Sequence, residues 1–164
     1  VTVAVYPGTF DPVHNGHVDV IRRARALFDR VVVGVAQESG KEPLFTVQER
    51  VDMLREAVAG LEGVEVRSFD GLTVEFARRC GAVAIVKGVR VGDLEYELRM
   101  AHVNRRLAPE LETVFLPTSP EYGFVSSTLI KEVARLGGPV DGLVPEGVRA
   151  RLRQRFGGGS QHVR

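Results

Sequence analysis

The sequence predicts a single α/β domain built on an open, doubly wound sheet of five parallel strands. Short apolar runs alternate with segments of helical period along the whole chain, which is the pattern of repeated strand–helix–strand units. One of those runs, Val31 to Ala36, is apolar without interruption, as a strand covered on both faces requires. The 164 residues suit one domain, and 44% hydrophobic against 26% charged residues is a globular balance.

In chain order, Val3 to Tyr6 reads as the first strand. Val18, Ile21, Ala24, Arg25 and Phe28 then follow helical spacing, with Arg22 and Arg23 turned outward. Val31 to Ala36 is the second strand. Thr46-Val47-Gln48-Glu49 has the form of a capping box, and Val47, Val51, Leu54 and Val58 give the helix behind it an apolar stripe. Val64 to Val66, Ala82 to Val86 and Thr113 to Leu116 supply the remaining strands. Thr73 to Arg79, Asp93 to Leu107 and Ser127 to Leu136 read as helices, and Pro145 is placed to open a last one through Arg155. Right-handed crossovers are the default for such units. Residues 1–156 form the expected domain, and 157–164, opening on Gly157-Gly158-Gly159-Ser160, have the composition of a flexible tail.

Lys plus Arg number 22 and Asp plus Glu 21, so the net charge of +1 gives no reason to expect a nucleic-acid partner. Cys80 is the only cysteine, which excludes a disulfide within the chain, suits a cytoplasmic setting and points to a packing role. No apolar run is long enough to cross a membrane, and the N-terminal segment reads as a strand rather than a signal peptide. Neither Cys80 nor the four histidines fall at zinc-ligand spacing, so no metal-ligating residue is expected.

In an open parallel sheet, ligands bind beyond the carboxyl ends of the strands where strand order reverses. The chemistry is therefore expected in the loops after the first, second, fourth and fifth strands. Tyr6-Pro7-Gly8-Thr9-Phe10-Asp11-Pro12-Val13-His14-Asn15-Gly16-His17 follows the first strand and runs into a helix. Gly16 permits close backbone approach, the helix start offers amides to phosphate, and His14 and His17 flank the glycine. A polar helix start alone would account for one histidine. Two of them around a glycine at this place point to phosphate chemistry. The segment is neither a P-loop nor the dinucleotide fingerprint. Asp11 is open between binding the loop backbone and helping to place a metal through water.

The His14-Asn15-Gly16-His17 segment resembles the H-x-G-H signature of the nucleotidylyltransferase superfamily. Val125-Ser126-Ser127-Thr128-Leu129-Ile130-Lys131 resembles its second signature, at the start of a helix. With the Tyr6 to Pro12 stretch, Lys41, Val86-Lys87-Gly88-Val89-Arg90, Glu95-Tyr96-Glu97-Leu98 and Ala101-His102-Val103-Asn104-Arg105, the chain resembles the bacterial phosphopantetheine adenylyltransferase family over residues 3 to 155. The resemblance implies a Rossmann-like domain that moves the adenylyl group of ATP onto 4′-phosphopantetheine, with Mg²⁺ accompanying ATP. It also implies coenzyme A as a feedback ligand and assembly as a homohexamer.

By position, the resemblance makes His17, Lys41 and Arg90 catalytic. It assigns ATP to Thr9, Phe10, His14, His17, Gly88, Val89, Arg90, Glu97 and the stretch Tyr122, Gly123, Phe124, Val125, Ser126, Ser127 and Thr128. The acceptor falls to Thr9, Lys41, Thr73 and Lys87. The turn Val91-Gly92-Asp93 is one residue shorter than is usual in the family. Gly123 stands where serine is common, and Lys87 where arginine is also used. Competing readings are a related nucleotidylyltransferase with nicotinamide mononucleotide or a sugar or alcohol phosphate as acceptor, and a non-catalytic nucleotide-binding module.

Overall fold

Parallel pairing in the order β3-β2-β1-β4-β5 organises the chain, in a computed structural model that describes residues 1–37, 40 and 42–157. The elements in order are β1 (Val3–Gly8), α1 (Asn15–Leu27), β2 (Arg30–Ala36), α2 (Val47–Ala57), β3 (Val64–Phe69), α3 (Thr73–Arg79), β4 (Ala84–Val89), α4 (Leu94–Leu107), β5 (Glu112–Pro117), α5 (Ser127–Arg135) and α6 (Glu146–Arg155). Alternate residues of each strand enter opposite layers, as the two-residue period of a strand dictates. Ala4, Tyr6, Val31, Val33 and Val35 pack with α1, α2, α5 and α6 on one face. Val3, Val5, Val32 and Ile85 pack with Val74, Phe76 and Ala77 of α3 on the other. The sheet is thus covered on both sides, and the expected doubly wound, Rossmann-like domain is present.

Strand order reverses between β1 and β4, and the register shows the consequence. β1 pairs with β2 along its whole length, from Val3↔Arg30 to Gly8↔Val35. It pairs with β4 only at Ala4↔Ala84 and Val5↔Ile85. Beyond those pairs the two strands part, and a cleft opens between their carboxyl ends. β4 nevertheless stays a strand on its other side, where Lys87, Gly88 and Val89 pair with Phe115, Leu116 and Pro117.

That pairing corrects the expectation that the strand spans Ala82 to Val86 with Lys87 beyond it. β4 starts later and ends later, because main-chain pairing with β5 continues where the apolar side chains stop. A Cβ on Gly88 would lie 2.8 Å from Val20 Cγ2, so only glycine lets this strand end remain against α1. Val20 itself is buried, although it lies off the stripe read from sequence.

The Thr46 capping box forms as expected: Thr46 Oγ1 accepts from the Glu49 amide at 3.1 Å, and Glu49 accepts from the Thr46 amide at 3.0 Å. Cys80 is half-buried, and burial pushes its thiol pKa up, which keeps it a thiol. The tail expected over 157–164 lies, from residue 158 onward, outside the described residues.

Candidate active site

α1 begins inside the two-histidine segment, and His14 is its N-cap. The His14 Nδ1 atom accepts from the amides of Gly16 at 3.1 Å and His17 at 3.4 Å. His17 Nδ1 in turn accepts from the His14 amide at 3.0 Å. This is a capping box made by two imidazoles in place of a hydroxyl and a carboxylate. The rings stack with centroids 3.6 Å apart. Between them, a Cβ on Gly16 would lie 2.9 Å from His14 Cε1, so the glycine makes room for the ring.

The cap settles the protonation of both rings. Each Nδ1 is an acceptor, so each ring is a neutral imidazole with its hydrogen on Nε2. Burial lowers the His14 pKa to about 4, with help from Arg90. Burial also holds His17 well below its ordinary value, and His14, Lys87 and Arg90 add to the effect. Near neutral pH the helix start therefore presents two uncharged N–H donors.

His14, Gly16 and His17 line a cavity of about 200 Å³ at the parting of β1 and β4, together with Lys87, Gly88, Arg90, Val125, Ser126 and Ser127. Arg90 spans its rim: Nε donates to Asp93 at 2.9 Å and a terminal nitrogen donates to the Val125 carbonyl at 2.9 Å. α5 starts on the opposite wall, where Ser126 caps it by accepting from the Leu129 amide. Ser127 Oγ donates to the Pro12 carbonyl, and the Thr118 hydroxyl to the Val89 carbonyl. These hydroxyls serve backbone, so the cleft offers donors and cations rather than an activated nucleophile.

Lys87 links this cavity to a second one of about 110 Å³, lined by Thr73, Tyr96, Glu97, Met100 and Asn104 among others. Its ammonium is 3.3 Å from a Glu97 carboxylate oxygen, and both side chains are mostly shielded. The shorter turn before this helix, a 3₁₀ turn over Val91–Asp93, leaves Glu97 within reach of Lys87. Glu97, expected on ATP, thus lies with Thr73 in the second cavity. Thr9 and Thr128 line a third cavity with Asp11 and Lys131. Tyr122 sits beside Asn15, Val18 and Arg22, and Gly123 and Phe124 are exposed. Val89 is the pairing residue opposite Pro117. Lys41 lies outside the described residues.

Asp11 resolves in favour of the loop backbone. It is buried and accepts from the Leu44 amide at 2.8 Å, the Phe45 amide at 2.9 Å and Lys131 Nζ at 3.0 Å. Its oxygens are taken by protein donors, which ties the loop before α2 to the loop after β1. Arg50 and Thr118 carry no motif in the sequence that marks them as contributors to this region, and Lys131 enters only as the end of the second signature. Arg50 could have been found, since it falls between Val47 and Leu54 on the apolar stripe, where a charged residue is out of place. Phe10 is buried with a φ of 52°, and its ring stands edge-on to His17 at 4.8 Å between centroids.

The reversal of strand order, a cleft lined by paired neutral donors and two cations, and a helix start on each wall define a phosphate-handling domain of nucleotidyltransferase type. The family described as cytidylyltransferase-like matches residues 5–133. A phosphopantetheine adenylyltransferase of Moorella thermoacetica is 56% identical over 94% of this chain and 98% of its own length. Proteins of that name from Desulforudis audaxviator and from Synechococcus sp. strain JA-3-3Ab are each 54% identical, over 94% of this chain and 96% and 98% of their own lengths. The chain belongs to the phosphopantetheine adenylyltransferase family.

Proposed function

We propose that this chain transfers the adenylyl group of ATP reversibly to 4′-phosphopantetheine, giving dephospho-coenzyme A and pyrophosphate. The observation that carries the reading is the pair of neutral imidazoles at the head of α1, facing one cleft with Lys87, Arg90 and the start of α5.

The acceptor phosphate is an anion already and needs no base. One of its oxygens bonds to the α-phosphorus as the bond to the bridging oxygen of pyrophosphate breaks. The protein's part is to hold two anionic groups in line and to meet the charge that develops on the transferring phosphate. His17 Nε2–H serves as a donor to the α-phosphate. Because His17 is neutral, it stabilises charge without being a proton source. His14 fixes the ring of His17 and lends a second donor. Arg90 and the amides that open α5 face the departing pyrophosphate. Thr9 and Phe10 border ATP, as do the residues from Tyr122 to Thr128. Lys41 and Lys87 hold the acceptor phosphate, and Thr73 with the second cavity takes the pantetheine arm.

Mg²⁺ accompanies ATP in this reading. Among the described residues no group of three or more His, Cys, Asp or Glu side chains could hold a metal ion. The acids near the cleft are engaged, Asp11 by amides and Lys131, Asp93 by Arg90, Glu97 by Lys87. A Mg²⁺ ion arriving with ATP would find few free carboxylates here; it would be held chiefly by phosphate oxygens and water and would supply neutralisation of phosphate charge.

Assembly belongs to the same proposal. α4 has no buried residue, yet carries Leu94, Tyr96, Leu98, Met100, Val103 and Leu107 exposed. Tyr96, Met100, Val103 and Leu107 fall on one side of the helix and Leu94 and Leu98 on the other; apolar exposure on both sides suits burial against further copies of the chain, and a homohexamer is the proposed assembly. No helix among the described residues is long and apolar enough to cross a membrane. A cytoplasmic setting and coenzyme A as a feedback ligand are part of the reading.

The test supplies ATP, Mg²⁺ and 4′-phosphopantetheine and follows both products. Stoichiometric dephospho-coenzyme A and pyrophosphate, with ATP re-formed from them in reverse, are expected. ATP binding without product would favour a non-catalytic module.

A further inference from the structure

We propose that Arg50 is a positioning residue for the transfer step: it locks the Thr9–Phe10 peptide and, through the Phe10 ring, sets the orientation of His17. Arg50 belongs to α2, yet it is only 1% exposed. Its guanidinium donates to three backbone carbonyls from three separate segments. These are Thr9 at 2.9 Å in the loop after β1, Ala36 at 2.9 Å at the end of β2, and Phe45 at 3.1 Å at the entry to α2. A planar fork of several N–H groups can span three acceptors in fixed directions, which an ammonium cannot.

The carbonyl of Thr9 is the one that matters for chemistry. It belongs to the peptide that joins Thr9 to Phe10, and Phe10 is the one non-glycine residue with positive φ among the described residues. A bulky side chain persists in the left-handed region only where its surroundings hold it. The bond from Arg50 pins the peptide plane on the N-terminal side of that conformation. On the other side, the Phe10 ring is wedged edge-on between Tyr6, 5.4 Å away, and His17, 4.8 Å away. A ring turned by a relaxed Phe10 would release the face against which His17 rests. Arg50 lines neither the cavity that holds His17 nor the second and third cavities, so it acts through Phe10 rather than on substrate.

The proposal rests on the adenylyl-transfer reading. The experiment therefore pairs turnover with a readout that needs no substrate. Arg50→Lys keeps the charge and loses the fork, and Arg50→Gln is the second variant. In either, kcat is expected to fall by about 10- to 100-fold, the scale of a small misplacement of a reacting group. The KM for ATP should rise by a smaller factor than kcat falls, because Thr9 and Phe10 alone among the residues bordering ATP are released. Imidazole nitrogen shifts of His17 by NMR, without ligand, should move from the pattern of an Nδ1 acceptor in the native chain. In the variant pair with Phe10→Ala, Arg50→Lys should cost no more than about twofold further, since both act through one ring. Unchanged His17 shifts, multiplying losses, or failure of both Arg50 variants to fold would each overturn the positioning role. An inactive native chain whose His17 shifts still respond to Arg50 would refute the transfer reading alone.

Discussion

Replacing Lys87 by alanine removes the side chain that borders both cavities. In the native site its ammonium lies 3.3 Å from Glu97, whose side chain is only 14% exposed. Truncation therefore does two things. It removes a cation from the acceptor phosphate, a loss of roughly 1.5–3 kcal/mol for a charge-assisted contact. It also leaves the Glu97 carboxylate unpaired beside an incoming dianion. At about 1.4 kcal/mol per factor of ten, the first loss alone is roughly 10- to 150-fold. Steady-state kinetics with each substrate varied separately should show this increase chiefly in the KM for 4′-phosphopantetheine. The double variant Lys87→Ala/Glu97→Gln removes the repulsion and should regain part of the loss. Lys87→Arg should retain more activity than Lys87→Ala, although its fork cannot occupy the same point. A Lys87→Ala variant that weakens only ATP, or a double variant no better than the single one, would refute the reasoning.

Three further outcomes follow from the same geometry. His17→Ala should lower kcat on the order of 10²-fold while ATP binding changes little, as for one lost transition-state donor, and single-turnover kinetics beside equilibrium ATP titration will separate the two. Because burial holds the His14 pKa at about 4 in the folded chain against about 6.5 when unfolded, the unfolded chain binds more protons between those values. Stability is thus full above about pH 6.5 and declines as pH falls towards 4, with His14 alone removing about 2 kcal/mol between pH 7.5 and 5; urea unfolding should show this slope reduced in His14→Asn, and an equal slope would contradict it. Light scattering at low micromolar concentration should give about six times the 18.0 kDa chain mass, and Leu98→Glu with Val103→Glu on α4 should lower it. A fully active monomer would remove the assembly from the account.

Much of the fold was legible because its strands are short apolar runs and its helices carry stripes. Val31 to Ala36 could be read directly, since a strand buried on both faces needs no polar residue. The end of β4 could not. Lys87 and Gly88 have no apolar signal, and their strand geometry comes from pairing with β5. The two-histidine segment was legible as the start of a helix after the first strand, but its capping role was hidden because imidazole is an uncommon cap. The family resemblance implies a nucleotide contact for Glu97; the pairing of its carboxylate with Lys87 at the second cavity has no signal in the sequence. Arg50 and Asp11 show the same limit from the other side. The place of Arg50 on an apolar stripe marks it as unusual, but what it and Asp11 hold is set by backbone groups brought from distant parts of the chain.

The central claim is that this cleft adenylates the phosphate of 4′-phosphopantetheine, and acceptor competition tests it most directly. With ATP and Mg²⁺ fixed, kcat/KM is measured for 4′-phosphopantetheine and for nicotinamide mononucleotide. In the proposed reading the second cavity and the Lys87–Glu97 pair, 3.3 Å apart, take a pantetheine arm that the mononucleotide lacks. The predicted result is a preference for 4′-phosphopantetheine of at least about 10²-fold, the scale a pocket contact network can enforce. Equal use of the two acceptors, or faster use of nicotinamide mononucleotide, would contradict the account.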